Sequence, residues 1–182
     1  MRACKVCKSQ FAPVRPMQCA CSPICALTLV RANRDKAAKA KAVTEKRADA
    51  IKRDKLKSRS EWAREAQTSF NAWVRARDAG NACISCGRHH QGQNHAGHYL
   101  SVGASPELRY EPLNVWLQCA PCNTYLSGNS VLYRIALLDK IGAEKLAWLE
   151  GPHPTQHYTV DQLKTIKSEY AAKARELRKE TA

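Results

Sequence analysis

Two cysteine hooks, Cys83-x-x-Cys86 and Cys119-x-x-Cys122, stand with thirty-two residues between them, and this spacing constrains the fold more than any other feature of the chain. Two such hooks present four thiolates to one ion, which suits tetrahedral zinc, and the length between them holds a β-hairpin. Four sulfur ligands leave no open position for water, so an ion held there braces the fold and takes no part in chemistry. A second set lies near the N-terminus. Cys4-x-x-Cys7 forms one hook, and two of Cys19, Cys21 and Cys25 complete it. Ser22 and Pro23, leading toward a helix start, favour Cys21 and Cys25 and leave Cys19 as the spare. Eight of the nine cysteines are thus placed as two structural zinc sites.

No apolar leader accompanies them in MRACKVCK, and no later stretch approaches the length that spans a bilayer. The expectation is a cytoplasmic protein with reduced cysteines and no membrane partner, rather than a secreted disulfide scaffold.

The charge is lopsided. Thirty Lys and Arg face sixteen Asp and Glu, for a formal charge of +14, which points to a polyanion, usually nucleic acid. Residues 31 to 60 hold twelve basic and four acidic side chains, so they carry +8 of that excess. The segment 28–59 contains neither Gly nor Pro and is rich in Ala, Lys and Arg, so it is expected as a helical arm. Its large apolar residues beyond the first turn are Val43, Ile51 and Leu56, too few for a buried stripe. Lys39, Lys46, Arg47, Lys52 and Arg53 on this arm are candidate DNA contacts. A solvated helix with i,i+4 pairs such as Asp35 with Lys39 is the plainer alternative.

The remaining chain divides by its breakers. Residues 1–27 form a knuckle-sized zinc module, 60–150 a central domain, and 151–182 a linker and C-terminal helix. Ser58 with Glu61 fits a capping box opening a helix to about Ala79, with Trp62, Ala66, Phe70 and Trp73 on its packed face. Short strands are expected around His98–Val102 and Asn114–Gln118, with a helix after Cys119. A further helix over 130–141 places Leu132, Ile135 and Leu138 inward, and a short one follows from Ala143 to Leu149. Thr159 with Gln162 caps the last helix, whose Leu163, Ile166, Tyr170, Ala174 and Leu177 form a seam for the domain or for a second copy.

Zinc explains the cysteines and leaves His95, His98, Asn114 and Asn123 without a task. The stretches CISCG, AGHYL, PLNVWLQCAPCN and LSGN resemble the HNH nuclease motif, the zinc-braced ββα-metal class. The resemblance implies that His98 is the general base, Asn114 the central asparagine, and Asn123 the replacement for the final histidine. Many relatives carry a metal ligand directly before the first histidine, where this chain has Gly97, and His95 stands in for it three residues upstream. His95 and Asn123 would then hold a catalytic Mg²⁺ or Mn²⁺. A satisfied structural histidine and a helix-capping asparagine are the competing readings of His98 and Asn123.

Over most of its length the chain is similar to one family, the NinG (Rap) recombination proteins of lambdoid phages. The segments CKVCKSQFAPVRPMQCACSPICA, AGHYLSVGASPELRYEPLNVWLQCAPCNTYLSGN and YRIALLDKIGAEKLAWLE carry the likeness. It implies a structure-specific DNA endonuclease acting on Holliday junctions and D-loop-like forms; symmetric cutting of a junction in turn leads to the expectation of a homodimer through the C-terminal seam or the arm, with other recombination proteins as candidate partners. The fold so implied is α+β and mostly helical: a zinc-braced HNH core with an N-terminal zinc knuckle, a basic helical arm and a C-terminal helix. Arg109 is a candidate phosphate contact, against an ion pair with Glu107 or Glu111. The alternative from another class is a non-catalytic, zinc-dependent DNA- or RNA-binding accessory protein.

Overall fold

The computed structural model describes residues 1–180, which divide into two units, Met1–Lys57 and Ser58 onward. In the first unit, β1 (Arg2–Ala3) pairs antiparallel with β2 (Gln10–Phe11), Arg2 opposite Phe11, and α1 runs from Pro23 to Leu56. Ser22 is the N-cap of α1, its hydroxyl accepting from the Cys25 amide at 3.3 Å, and Pro23 occupies the first turn, where a missing N–H costs nothing. The helix therefore begins before the arm expected from composition and carries Cys25 in its first turn. None of its 34 residues is buried. The arm's ion pairs include Lys41–Glu45 at 3.8 Å, Lys52–Asp49 at 3.9 Å and Lys57–Asp54 at 2.7 Å, and among the described residues Asp35 makes none with Lys39.

The second unit opens with α2 (Arg59–Arg77), capped as the sequence predicts. Ser58 accepts from the Glu61 amide, and the Glu61 carboxylate accepts from the Ser58 amide at 2.8 Å. A hairpin follows, β3 (Asn94–His98) antiparallel to β4 (Val115–Cys119), in a register that sets Asn94 opposite Cys119 and His98 opposite Val115. Two 3₁₀ turns, Pro106–Leu108 and Pro112–Asn114, interrupt the connection between the strands. A π-helical turn, Pro121–Tyr125, then leads to α3 (Ser130–Ile141), α4 (Ala143–Glu150) and α5 (Val160–Glu180). The result is α+β and mostly helical.

Two apolar clusters flank the hairpin. Trp62, Ala66, Phe70 and Val74 of α2 pack with Tyr110, Val115, and Leu163 and Tyr170 of α5. Leu108, Tyr133, Leu137, Leu146 and Leu149 form the other cluster. The α5 seam is thereby used against α2, which also accounts for the edge-on contact of Phe70 and Tyr170 at 4.8 Å. Asp78, at the end of α2, is 3 % exposed; it accepts from the Leu117 amide at 3.0 Å and pairs with Arg77 at 2.7 Å, tying α2 to β4.

Four expectations require correction. The first strand lies at Asn94–His98 and ends at His98, because pairing with Val115–Cys119 sets it and the more apolar run after His98 turns away. On α2 the fourth buried position is Val74, and Trp73 lies at the edge of the cluster. On α3 the buried residues are Tyr133 and Leu137, whereas Leu132, Ile135 and Leu138 are 46, 61 and 41 % exposed. Tyr133 decides that rotation. Its hydroxyl donates to the Gly97 carbonyl at 2.9 Å and accepts from the Trp116 amide at 3.1 Å, so the helix turns its tyrosine into the hairpin. After Cys119, a single π-helical turn stands where a regular helix is expected.

Candidate active site and metal centres

The same backbone turn is built twice. In each hook the residue after the second cysteine, Lys8 or Gly87, has φ near +63 or +65°, and its amide donates to the carbonyl of the first cysteine at 3.0 or 2.9 Å. The first cysteine's amide in turn donates to the carbonyl two residues beyond the second cysteine, Ser9 or Arg88, at 2.9 or 3.0 Å. This turn aims both sulfurs of the hook to one side. Cys4, Cys7, Cys21 and Cys25 bring their sulfurs within 4.8 Å of one another, and so do Cys83, Cys86, Cys119 and Cys122. Tetrahedral zinc with Zn–S of about 2.3 Å sets sulfurs about 3.8 Å apart, and Cys7–Cys21 at 3.5 Å, Cys21–Cys25 at 3.8 Å and Cys86–Cys119 at 4.0 Å fit. Both clusters can therefore hold zinc. Cys19 stands outside the first, its thiol turned to the Met17 carbonyl at 3.2 Å.

Both clusters contain acidic thiols; in the N-terminal one Cys7 is also lowered, by its hydrogen bonds with Ser9. Backbone amides of Cys7, Cys21 and Val6 hold Cys4 down to about 6. Burial pushes Cys83 up, but the amides of Cys86, Cys119 and Ser85 outweigh it and bring the thiol to about 7.

His98 ends β3 and is partly buried. Its Nε2 lies 3.1 Å from the Arg109 carbonyl oxygen, which can only accept, so the ring proton sits on Nε2. Nδ1 therefore carries the lone pair. Burial lowers the pKa of the ring below its ordinary 6.5; the Arg109 carbonyl bond opposes this, and the Arg109 charge reinforces it. The imidazole is neutral at pH 7, in the tautomer a proton acceptor needs.

Asn114 is fully buried and clamps the chain beyond His98. Its Oδ1 accepts from the Leu100 amide at 2.8 Å, while Nδ2 donates to the carbonyls of Leu100 at 3.0 Å and Leu108 at 3.2 Å. Both ends of the loop that carries Arg109 are thus fixed. Arg109 itself donates through Nε to Gln67 at 2.8 Å, and among the described residues it has no ion pair with Glu107 or Glu111.

Asn123, on the π-helical turn, lies with Nδ2 3.0 Å from His95 Nδ1, so one predicted pair meets directly. The other ring nitrogen, His95 Nε2, is buried without a partner among the described residues. Such an atom costs about 1–3 kcal/mol unless something occupies its lone pair or takes its proton. With the amide turned over, Nδ1–H donates to the Asn123 oxygen and Nε2 is free to ligate, the arrangement common to metal-bound histidines. Strand alternation puts His95 and Gly97 on one face of β3 and His98 with Ala96 on the other. Among the described residues, no hydrogen bond joins the His98–Arg109 pair to the His95–Asn123 pair. Gly97 is closed to substitution, since a Cβ there would overlap the Gln118 side chain.

Several residues near these centres are not among the candidates that the sequence suggests. His90 Nε2 lies 3.4 Å from Cys86 Sγ, although its Gly/Gln-rich loop reads as solvent-exposed. Gln118 is fully buried and donates to Ser85 Oγ at 2.6 Å and to the Gly128 carbonyl at 2.5 Å, linking hook, strand and turn. Arg77 reaches the carbonyls of Pro112 at 3.1 Å and Val115 at 2.8 Å and stacks over Trp116 at 4.1 Å. An Arg-Asp dipeptide ending a helix was the available signal for the last of these.

Comparison with known proteins bears on the whole chain. The family described as Bacteriophage Lambda NinG protein matches residues 1–180. The chain belongs to the NinG family. It is 38% identical over 188 residues to protein ninG of Escherichia phage 933W, covering 97% of this chain and 94% of that one. The figure is also 38% over 190 residues for protein ninG of Escherichia phage lambda, with 97% and 93% covered, and of Salmonella phage P22, with 97% and 94%. No solved structure matches. No helix among the described residues is long and apolar enough to cross a membrane.

Proposed function

We propose that this chain is a DNA endonuclease that hydrolyses phosphodiester bonds in branched recombination intermediates, Holliday junctions and D-loops among them. One observation carries the reading: His98 is a neutral imidazole whose Nε2–H is tied to a backbone carbonyl and whose Nδ1 has no hydrogen-bond partner among the described residues. Nδ1 takes a proton from water as the water oxygen bonds to phosphorus, in line with the 3′ oxygen. The P–O3′ bond breaks, the 3′ oxygen gains a proton from solvent, and a 5′-phosphate and a 3′-hydroxyl result. Asn114 orients this step by fixing the loop that bears Arg109 and hence the ring.

On the face of β3 opposite His98, His95 is the candidate ligand of a hard divalent cation, Mg²⁺ or Mn²⁺, through its Nε2, while Asn123, bonded at Nδ1, would orient the ring rather than share the ion; such a cation would supply positive charge toward bound phosphate. The orphaned His95 Nε2 supports that assignment. Lys39, Lys46, Arg47, Lys52 and Arg53, on a helix with no buried residue, supply phosphate contacts, and symmetric cutting of a junction calls for a homodimer. Because the α5 seam is engaged by α2, such a dimer uses the arm or another face.

A second reading, a zinc-dependent DNA- or RNA-binding accessory protein without catalysis, draws on the same exposed basic helix, which needs no chemistry to bind. End-labelled four-way junctions and linear duplex, incubated with the wild type and His98→Ala in Mg²⁺, in Mn²⁺ and in neither, separate the two. The nuclease reading expects ion-dependent cutting of the junction by wild type alone. Binding without cutting in every lane decides for the accessory protein, and cutting by His98→Ala at the normal rate removes His98 from the mechanism.

A further inference from the structure

Within the second unit, a cleft of about 390 Å³ lies between the first turns of α2, the 3₁₀ turn at Pro106 and the segment before α5. Arg59, Arg64 and Arg109 line it together with His157, and its floor holds Tyr110 and Tyr158. No carboxylate lines it. Three guanidinium groups around one concavity, with the Glu107 and Glu111 carboxylates acting on Tyr158 from nearby, leave an excess of positive charge that suits an anion.

The walls are fixed. The Tyr110 hydroxyl donates to the Ala63 carbonyl at 3.0 Å, the Tyr158 hydroxyl donates to the Glu107 carbonyl at 3.2 Å, and the two rings meet edge to face at 5.1 Å. Arg109 is held by Gln67 and lies over the Tyr110 ring at 5.5 Å, so its fork is set before any ligand arrives. Arg59 and Arg64 are exposed and have no ion pair among the described residues. Arg109 connects the cleft to His98, because its carbonyl accepts the His98 Nε2–H while its side chain lines the cleft.

We propose that this cleft is a second DNA subsite, in which Arg59, Arg64 and Arg109 hold backbone phosphates flanking the bond presented to His98. The inference takes its substrate from the nuclease reading, but its test does not require cleavage. Binding of a labelled four-way junction is measured without added Mg²⁺ or Mn²⁺ across a range of salt, for wild type, Arg59→Ala/Arg64→Ala and the equal-charge control Arg175→Ala/Lys179→Ala. The first double variant is expected to bind about 10- to 100-fold more weakly at moderate salt and to lower the slope of log affinity against log salt by about 2. The control, at the far end of α5, should stay within about threefold of wild type. Zinc content and melting temperature equal to wild type establish that the variants are folded. Arg64→Lys should recover part of the loss, since a point charge remains. Unchanged affinity and slope in Arg59→Ala/Arg64→Ala, or an equal loss in the control, overturns the subsite. A catalytically silent protein with the expected binding pattern overturns the nuclease reading and leaves the subsite standing.

Discussion

The two cysteine clusters share a turn and differ in what surrounds them. At the central cluster Cys83, Cys119 and Cys122 are at most 3 % exposed, and the protein helps to hold the hooks. Ile84 donates to the Leu117 carbonyl at 3.0 Å, Ser85 and Gln118 are bonded to each other, and the Asn129 amide group approaches Cys122 Sγ at 3.7 Å. At the N-terminal cluster only Cys4 and Ala20 are buried, β1 and β2 have two residues each, and α1 offers no buried side chain. A bound metal would be the main source of order at the N-terminal cluster, whereas the central cluster is one member of a packed core. Similar ligand geometry thus serves two ends, independent folding of a small module and bracing of an already supported hairpin.

The sharpest way to break this comparison is to remove one ligand from each cluster. Cys119→Ser is expected to remove the second unit's zinc and lower its melting temperature while the two apolar clusters keep much of its helical structure, because the hairpin that Cys119 ends is also held by packing. Cys21→Ser should unfold only the first unit, with zinc content falling from two to one per chain and the second unit's near-ultraviolet signal intact. Equal collapse in both variants would mean that the two clusters are not separable.

Next in size is His98→Ala, expected to reduce junction cleavage by about 10²–10⁴-fold with both zincs retained. Because the folded pKa of His98 lies below the unfolded value of about 6.5, the neutral ring is fully available above that pH, and cleavage should fall as pH drops through the folded value. The linked stability has the same sign: it is present above the unfolded value and lost on acidification. A rate that rises between pH 6.5 and 5 contradicts the assignment. Asn114→Ala, which leaves the Leu100 amide and two carbonyls without their partner, should destabilise the second unit by about 2–4 kcal/mol in a denaturant titration.

The smallest effects concern the shared turn. Gly87 and Lys8 have nearly the same positive φ, and nothing crowds a Cβ at Gly87, so Gly87→Lys should cost about 1–2 kcal/mol from backbone strain alone. The reverse change, Lys8→Gly, should alter the first unit's stability by less than about 1 kcal/mol, since relief of strain is offset by the greater freedom of an unfolded glycine.

Local chemistry was legible from the residues alone. The cysteine hooks and the two capping boxes at Ser58 and Thr159 depend on neighbours a few positions apart, the two quartets follow from the ligand number of zinc, and the structure contains them all, with Cys19 outside. What escaped depends on partners distant in sequence. Which face of α3 is inward follows from Tyr133 bonding across to Gly97 and Trp116, and no periodicity in the helix announces that. That one strand spans both His95 and His98, so that alternation turns them to opposite faces, follows from pairing with Val115–Cys119, which sets Cys119 opposite Asn94 twenty-five positions away. The cationic cleft joins residues from α2, the hairpin loop and the final linker, so charge counting along the chain credited the arm and overlooked it.

Gly97 lies beneath Gln118 with no room for even a methyl group. A lineage carrying this glutamine can therefore gain a carboxylate next to His98 only in a set order, surrendering Gln118 first and tolerating the weakened intermediate. The order of mutations, rather than the usefulness of the new ligand, governs whether that route is open.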